Sequence, residues 1–259
     1  MSTPKLSIRD PLLRAARGLR GAVRRVGLDV VRYPGNPDFD KADRELIARV
    51  QPYTLTTPER IIALARAVEY VVERDIAGDI VECGVWKGGS MMAAALTLVK
   101  VGDKQRRLYL FDTYEGMSAP TADDVASFDG RSATELMRGE SAADAWWAAS
   151  LEEVRKNLAS TGFDTSRVHF VKGMVEETIP HAAPDAICLL RLDTDWYEST
   201  RHELVHLYPR LSMNGVLIID DYGFWRGSRK ATDEYFSGDK PGRPLLNRID
   251  STGRVAVKT

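Results

Sequence analysis

Short apolar segments alternate with helical patterns along most of the chain. Five segments rich in β-forming residues follow one another, at 79–85, 107–113, 168–173, 186–193 and 215–221. Helical patterns separate most of them, from Gly89 to about Val101, at 151–161 and at 199–210. Strands that are apolar almost throughout and are joined by helices indicate a parallel sheet covered on both faces. The pattern therefore predicts an α/β fold.

Two further patterns frame this alternation. Thr57-Pro58-Glu59 is typical of a helix start, with a capping residue, a proline at the first helical position and an acid in the first turn. The helix would run to about Glu73. Near the other end, residues 245–250 and 254–258 flank Ser251-Thr252-Gly253, which predicts a terminal β-hairpin. The predicted sheet is thus mostly parallel, with a C-terminal antiparallel hairpin.

The first 35 residues differ from the rest. Between Pro11 and Val30, apolar residues recur at three- to four-residue steps and arginines occupy most other positions, which predicts a basic amphipathic helix. We expect such a helix to pack its apolar stripe on the body of the protein; the alternative is attachment to an anionic membrane surface, here through residues 9–32, or to an oligomer partner. Because residues 33–37 break the pattern, we divide the chain into an N-terminal segment, 1–35, and a main domain, 36–259.

One connection in the main domain is unusually long. Residues 114–150 contain several glycines and aspartates and the pair Trp146-Trp147. Long insertions above the carboxyl ends of strands often form active-site lids, which is the interpretation we favour. The alternative is a peripheral helical insertion whose tryptophans belong to the core.

Composition narrows the class of protein. A net charge of -1 gives no sign of a nucleic-acid partner. The two cysteines, Cys83 and Cys188, lie in apolar segments and indicate a reducing compartment rather than a disulfide framework. Neither a membrane-spanning apolar segment nor a secretory signal is evident in the sequence. We therefore expect a cytoplasmic protein.

Ligands of open α/β sheets bind beyond the carboxyl ends of the strands. The first predicted strand is followed by Gly84, Gly88, Gly89 and Ser90, a stretch in which the backbone can turn sharply and approach a ligand closely. Asp112 ends the second strand, where it could accept hydrogen bonds from ribose hydroxyls or cap a helix. Together these features favour a nucleoside-type cofactor, although no strict dinucleotide fingerprint is present.

Four aspartates lie at the ends of the fourth and fifth predicted strands: Asp193, Asp195, Asp220 and Asp221. Carboxylates at adjacent strand ends repel one another unless a cation neutralises them, and oxygen ligands at this density suit Mg²⁺. A hydroxyl bound to Mg²⁺ has a lowered pKa, and a neighbouring carboxylate can take its proton. Helix capping is the alternative, but it would explain only one or two of the four.

A competing motif lies in the helix between these strands. His202-Glu203-Leu204-Val205-His206 matches the zinc-binding H-E-x-x-H pattern. The segment falls midway along a helix that connects two strands, away from the strand ends. We therefore interpret it as an ordinary solvated helix face.

Several segments taken together resemble the macrocin O-methyltransferase-related family, whose members act in macrolide and aminocoumarin biosynthesis. They are residues 53–60, 81–89, 110–116, 192–200 and 219–223. The resemblance implies a class I methyltransferase fold, Rossmann-like, with a seven-stranded sheet and S-adenosylmethionine above the first strand. The cofactor residues it implies, with the glycine turn, are Thr54, Glu82, Gly84, Gly88, Ser90, Asp112, Met174 and Val175. It also implies Mg²⁺ on Asp193, Asp220 and Asp221, with Asp193 or Asp195 as the base.

The function implied is Mg²⁺-dependent transfer of a methyl group to a sugar hydroxyl, in a homo-oligomer. The acceptor would be a natural-product glycoside or, as the basic N-terminal segment suggests, a bacterial polysaccharide or glycolipid. Three alternatives remain at this point: methylation of a catechol or another phenol, a nucleotide-dependent oxidoreductase on a similar fold, and a membrane-associated binding module without catalysis.

Overall fold

The computed structural model describes residues 36–138, 148–237 and 243–259. The chain divides into two units, Met1–Arg44 and Glu45–Thr259. The predicted amphipathic helix and the tryptophans of the insertion lie outside the described residues. None of the described helices is long and apolar enough to span a bilayer.

The described residues form eight α-helices. They are α1 Lys41–Val50, α2 Pro58–Glu73, α3 Gly89–Val101, α4 Ala133–Arg138, α5 Leu151–Ala159, α6 Val175–Thr178, α7 Tyr197–Leu207 and α8 Arg226–Phe236. Helix α2 begins as predicted, since the Thr57 side chain accepts a hydrogen bond from the Arg60 N–H at 3.3 Å and Pro58 is the first helical residue.

Seven strands form one sheet. They are β1 Asp79–Cys83, β2 Leu108–Asp112, β3 Val168–Lys172, β4 Ile187–Leu192, β5 Leu211–Ile219, β6 Asn247–Arg248 and β7 Arg254–Val257. Their order is β3-β2-β1-β4-β5-β7-β6. The first five are parallel, while β7 is antiparallel to β5 and β6. The predicted mostly parallel sheet with a terminal hairpin is confirmed.

The chain order reverses between β1 and β4, the neighbours at the centre of the sheet. In doubly wound sheets this position opens a crevice at the carboxyl ends of the strands. The residues that follow β1 and β4 therefore face the same crevice, as do those that follow the adjacent β2 and β5.

Apolar layers cover both faces of the sheet. Alternate residues of a strand point to opposite faces, so Ile80 packs with helices α2 and α3, while Val81 packs in the layer that contains Leu204 and Leu207 of α7. Central strand β4 is buried along its whole length. This double cover holds the strand ends in place beneath the crevice.

Five elements differ from the sequence prediction. Strand β5 begins at Leu211, four residues before the predicted start, and helices α1, α4, α6 and α8 were not predicted. Helix α8 is largely polar, and most of the residues it buries are small, such as Gly227, Ser228 and Ala231. Its buried face therefore has few of the large apolar residues on which the prediction depended.

Candidate functional site

A cavity of about 830 Å³ lies above the carboxyl ends of the strands. Of the eight predicted cofactor residues, six line it: Thr54, Gly84, Ser90, Asp112, Met174 and Val175. Glu82 lies beneath the cavity, fully buried in β1, and Gly88 caps helix α3. The cavity thus brings together residues that follow β1, β2 and β3, at the place where the sequence predicts a nucleoside-type cofactor.

The turn after β1 requires glycine. Gly84 has φ of 81°, and a Cβ atom there would lie 2.0 Å from the backbone oxygen of Asp193. The Gly84 N–H donates to the Phe111 oxygen at 2.9 Å, and the Asp193 N–H donates to the Cys83 oxygen at 2.8 Å. This close backbone approach ties the ends of β1, β2 and β4 together.

Asp112 shapes the same turn. Its Oδ2 accepts hydrogen bonds from the N–H groups of Val85 at 2.6 Å and Trp86 at 3.2 Å. Its Oδ1 accepts from the Tyr114 N–H at 2.7 Å. A carboxylate has about four lone-pair sites, so Asp112 keeps acceptor capacity toward the cavity. Its predicted contact with ribose stays a prediction.

Three carboxylates meet in the same cavity. One oxygen from each of Asp193, Asp195 and Asp221 lies within 4.8 Å of the others. Asp193 and Asp195 follow β4, and Asp221 follows β5, so the prediction that acids at adjacent strand ends converge is confirmed for these three. Asp195 has φ of 69°, a left-handed conformation that is uncommon for residues other than glycine.

Asp220 lines the same cavity but is not part of this group. Its Oδ1 accepts a hydrogen bond from Nη2 of Arg191 at 2.5 Å, and its Oδ2 pairs with Arg60. The family resemblance implies Asp220 as a metal ligand, whereas the third member of the observed group is Asp195. Both oxygens of Asp220 are paired with arginines, and its role as a ligand stays a prediction.

Arg191 is the centre of a buried ion-pair network. The side chain projects from β4 and is 3% exposed. Its Nη1 donates to Glu82 at 2.6 Å and to Asp193 at 2.7 Å. Together with its bond to Asp220, this single guanidinium connects carboxylates from β1 and from the ends of β4 and β5.

Arg60 continues the network toward the C-terminal hairpin. Its Nε donates to Asp250 at 2.7 Å, and its other nitrogens bond Asp220 and Thr252. The repulsion expected among the acids is therefore relieved in part by arginines. Two guanidinium groups still serve six carboxyl groups, so the acids outnumber the cations: Glu82, Asp193, Asp195, Asp220, Asp221 and Asp250.

Burial changes the protonation of these acids. It raises the pKa of Asp195 to about 7, although the hydrogen bond with Asp221 acts in the opposite direction. Burial also raises the pKa values of Asp193 and Asp221 well above the usual range. For Glu82 burial dominates over the attraction of Arg191 and raises the pKa to about 7.

A group of large apolar side chains, which we call the apolar wall, also lines the cavity. The residues that form it are Met117, Phe128, Leu136, Trp196, Phe224 and Trp225. Rings of Trp196 and Trp225 meet edge to face at 5.0 Å, and Phe128 is 67% exposed at the rim. The described part of the insertion thus supplies one side of the cavity, whereas its action as a lid stays a prediction.

The family profile of Macrocin-O-methyltransferase (TylF) matches residues 31–257. The chain belongs to this family. It is 36% identical, over 85% of its length and 81% of the relative's, to the 8-demethyl-8-(2,3-dimethoxy-α-L-rhamnosyl)-tetracenomycin-C 4'-O-methyltransferase of Streptomyces olivaceus. It is 32% identical, over 71% of its length and 70% of the relative's, to the mycinamicin III 3''-O-methyltransferase of Micromonospora griseorubida.

The solved structure of the O-methyltransferase NovP is also similar, with a TM-score of 0.71 and 30% identity over 80% of this chain and 82% of that one. The protein is therefore an O-methyltransferase with the class I, Rossmann-like fold. Membership of this family excludes the oxidoreductase alternative and a binding module without catalysis.

The positions of three charged residues of this TylF-family enzyme were not predicted from the sequence. Arg191 could have been recognised from the sequence, because a charged residue within the apolar segment Ile187–Leu192 is expected to be paired. Arg60 lay within a segment that carries the family resemblance, but nothing local pointed to its partners. Glu203 was assigned to a solvated helix face, and that interpretation is wrong: the residue is 0% exposed.

Proposed function

We propose that the protein transfers the methyl group of S-adenosylmethionine to a sugar hydroxyl of a natural-product glycoside, in a reaction that depends on Mg²⁺. One observation carries this proposal. A single cavity is lined both by the glycine turn and Asp112 and by the group of Asp193, Asp195 and Asp221. A cofactor site and an acidic site that share a cavity suit a transfer reaction.

The cofactor would occupy the end of the cavity above β1. Gly84 and Ser90 line its floor, Asp112 lies within reach of ribose hydroxyls, and Met174 and Val175 follow β3 at the side where an adenine would lie. Thr54 closes this end, and its hydroxyl is fixed by a 2.9 Å hydrogen bond to that of Thr56. Glu82 supports the turn from below.

The acidic group has the composition of a Mg²⁺ site. Mg²⁺ prefers a few carboxylate oxygens and completes its shell with water and substrate oxygens. Oδ2 of Asp221 is buried and has no hydrogen-bond partner among the described residues, as expected of a ligand atom. Asp193 and Asp221 belong both to the predicted ligand set and to the observed group, so we propose them as ligands.

The remaining acid, Asp195, is our choice for the base. When bound, Mg²⁺ would orient acceptor oxygens and lower the pKa of a hydroxyl. Asp195 borders the cavity beside the proposed ligands and would accept the hydroxyl proton. As the C–O bond forms, the bond from the methyl carbon to sulfur breaks, and S-adenosylhomocysteine leaves with the electron pair. Alignment of oxygen, carbon and sulfur is the other task of the site.

The apolar wall supports a glycoside as the acceptor. The S. olivaceus relative is named for a rhamnosyl group carried on tetracenomycin C. A sugar that reaches the acids from the rim would leave its apolar aglycone against Phe128, Phe224 and Trp225. A free polysaccharide has no comparable apolar part, and a catechol would leave the outer wall unused.

The test is methyl transfer from isotopically labelled S-adenosylmethionine, followed by mass spectrometry of the acceptor. Acceptors would be a rhamnoside of a polycyclic aromatic aglycone, methyl α-L-rhamnoside, catechol and a rhamnose-containing bacterial polysaccharide. We expect methylation of the first, its loss with EDTA, recovery with Mg²⁺, and little transfer to the others. Preference for catechol or for the polysaccharide would overturn the acceptor assignment, and full activity in EDTA would overturn the metal.

A further inference from the structure

The loop that carries two of the three clustered acids has an unusual conformation. It consists of Asp193, Thr194, Asp195 and Trp196, between β4 and helix α7. The left-handed backbone of Asp195 is strained and persists only where its surroundings enforce it. The contacts that hold this loop therefore decide where the two carboxylates lie.

Backbone hydrogen bonds fix both ends of the loop. The Asp193 N–H donates to the Cys83 oxygen at 2.8 Å, and the Trp196 N–H donates to the Thr194 oxygen at 2.8 Å. At the far end the Tyr197 N–H donates to Oδ1 of Asp124 at 2.8 Å. Between these anchors lies the side chain of Thr194.

That side chain has one polar partner. The Thr194 hydroxyl donates to Oε1 of Glu203 at 2.8 Å. Glu203 lies on α7 two turns after the loop and is 0% exposed. A carboxyl group buried this deeply is costly unless it forms hydrogen bonds, and burial raises its pKa well above the usual range. Packing alone would favour an apolar residue here.

We propose that Glu203 is a positioning residue, which through Thr194 holds Asp193 and Asp195 in the geometry needed at the acidic site. The inference rests on the proposed function, because it assumes that these acids bind Mg²⁺ and take the proton. The hydrogen bond between Thr194 and Glu203 attaches the loop to α7. Glu203 itself does not line the cavity. It therefore acts on the acids without touching a substrate, a cofactor or a metal.

The main test measures Mg²⁺ affinity by titration calorimetry on the full chain. Glu203→Leu removes the acceptor, and Thr194→Val removes the donor. Mutation of a residue that holds a metal ligand in place typically weakens metal binding by 10- to 100-fold. We therefore expect the dissociation constant for Mg²⁺ to rise roughly 10-fold in each variant. The double variant should lose no more than either single one, because both remove the same contact.

Conservative variants separate positioning from folding. Glu203→Gln and Thr194→Ser keep the hydrogen bond, and we expect Mg²⁺ affinity within about threefold of the parent, since the contact and not the charge positions the loop. Leucine removes the desolvation cost of a buried carboxyl group whose Oε2 has no hydrogen-bond partner among the described residues, so the thermal midpoint of Glu203→Leu should not fall. Glu152→Leu, at an exposed position of α5, is the matched control.

Reference variants keep the two proposals distinguishable. If Asp193→Asn weakens Mg²⁺ binding while Glu203→Leu and Thr194→Val leave it intact, the positioning role is overturned and the proposed function stands. If Asp193→Asn and Asp221→Asn leave Mg²⁺ binding unchanged, the metal part of the proposed function fails. In that case kcat tests the positioning role. A lower kcat in both Glu203→Leu and Thr194→Val, with an unchanged KM for S-adenosylmethionine, supports this role. An unchanged kcat overturns it.

Discussion

A single buried arginine determines much of the electrostatics of this site. Because Arg191 contacts Glu82, Asp193 and Asp220 at once, the carboxylates of three strands share one cation. The planar guanidinium suits this arrangement, since it offers five donors in a fixed geometry. Arg60 supplies the second cation from a different element, and the remaining acids are left to meet at the cavity.

Removing this cation should destabilise the protein strongly. Arg191→Met leaves Glu82 and Asp220 buried without a partner from β4, and breaking a buried pair in this way costs about 3–5 kcal/mol. We expect a loss of that size in the free energy of unfolding, measured by urea denaturation. Arg191→Lys, which keeps the charge but not the three contacts, should lose less. A methionine variant as stable as the parent would show that the network is not needed for folding.

The same residues show what a sequence reveals about a site. Strand ends were predictable from apolar segments, so the meeting of Asp193, Asp195 and Asp221 followed from strand order. The positions of Asp220 and Glu203 could not be predicted in this way, because each is set by side chains of other elements. Asp220 pairs with arginines of α2 and β4, and Glu203 bonds to Thr194 in the loop before α7. A pattern along the chain identifies the acids but does not identify which side chain each one faces.

At the level of elements, local signals predicted well where they were strong. The capped start of α2 and the hairpin at Ser251-Thr252-Gly253 were both correct. Helix α8 was missed because packing against α7, rather than its own apolar periodicity, stabilises it. The insertion was recognised by its length alone, and the way it docks was not predictable from its composition.

Asp124 is the main polar link between the insertion and α7. This residue is 0% exposed, and its carboxylate accepts from the backbone and hydroxyl of Thr121 and from the Tyr197 N–H. Asp124→Ala leaves buried donors unpaired, so we expect a loss of roughly 1–3 kcal/mol in unfolding free energy and faster proteolysis within residues 114–138. Asp123→Ala, which removes only an exposed pair with Lys230, should change neither; equal effects of the two would refute this role.

The hairpin is attached to α2 through Asp250, and this contact should depend on pH. Burial opposes ionisation, but hydrogen bonds from the Gly253 N–H and from Arg60 and Thr57 lower the pKa of Asp250 to about 2. The unfolded value is about 3.9. The contribution to stability, about 1–2 kcal/mol, is therefore complete above pH 4 and is lost as the pH falls toward 2.

Asp250→Asn measures that contribution. Urea denaturation of both proteins at several pH values between 6 and 3 should show the parent more stable near neutrality, with the difference shrinking below pH 4. A difference that stays constant across this range would mean that the ionised carboxylate contributes nothing beyond what the amide supplies.

For the whole molecule, the distribution of charge separates two parts of the chain. Residues 1–35 carry a formal charge of about +6, so the remaining residues carry about -7. The sheet, the cavity and the clustered acids all belong to the second part. The basic segment lies outside the described residues, so its role stays a prediction.

If that role is attachment to anionic membranes, the arginines of the segment should carry it. Each arginine near an anionic surface contributes about 1 kcal/mol to binding, so Arg→Ser changes at 17, 20, 24 and 25 in the full chain should weaken sedimentation with phosphatidylglycerol vesicles by at least about 100-fold. Four Ser substitutions at exposed Arg74, Lys100, Lys104 and Arg107 reduce the net charge equally and should have little effect. If both quadruple variants lose vesicle binding equally, binding responds to the total charge and not to the N-terminal segment. If the parent binds only neutral vesicles, attachment is not electrostatic.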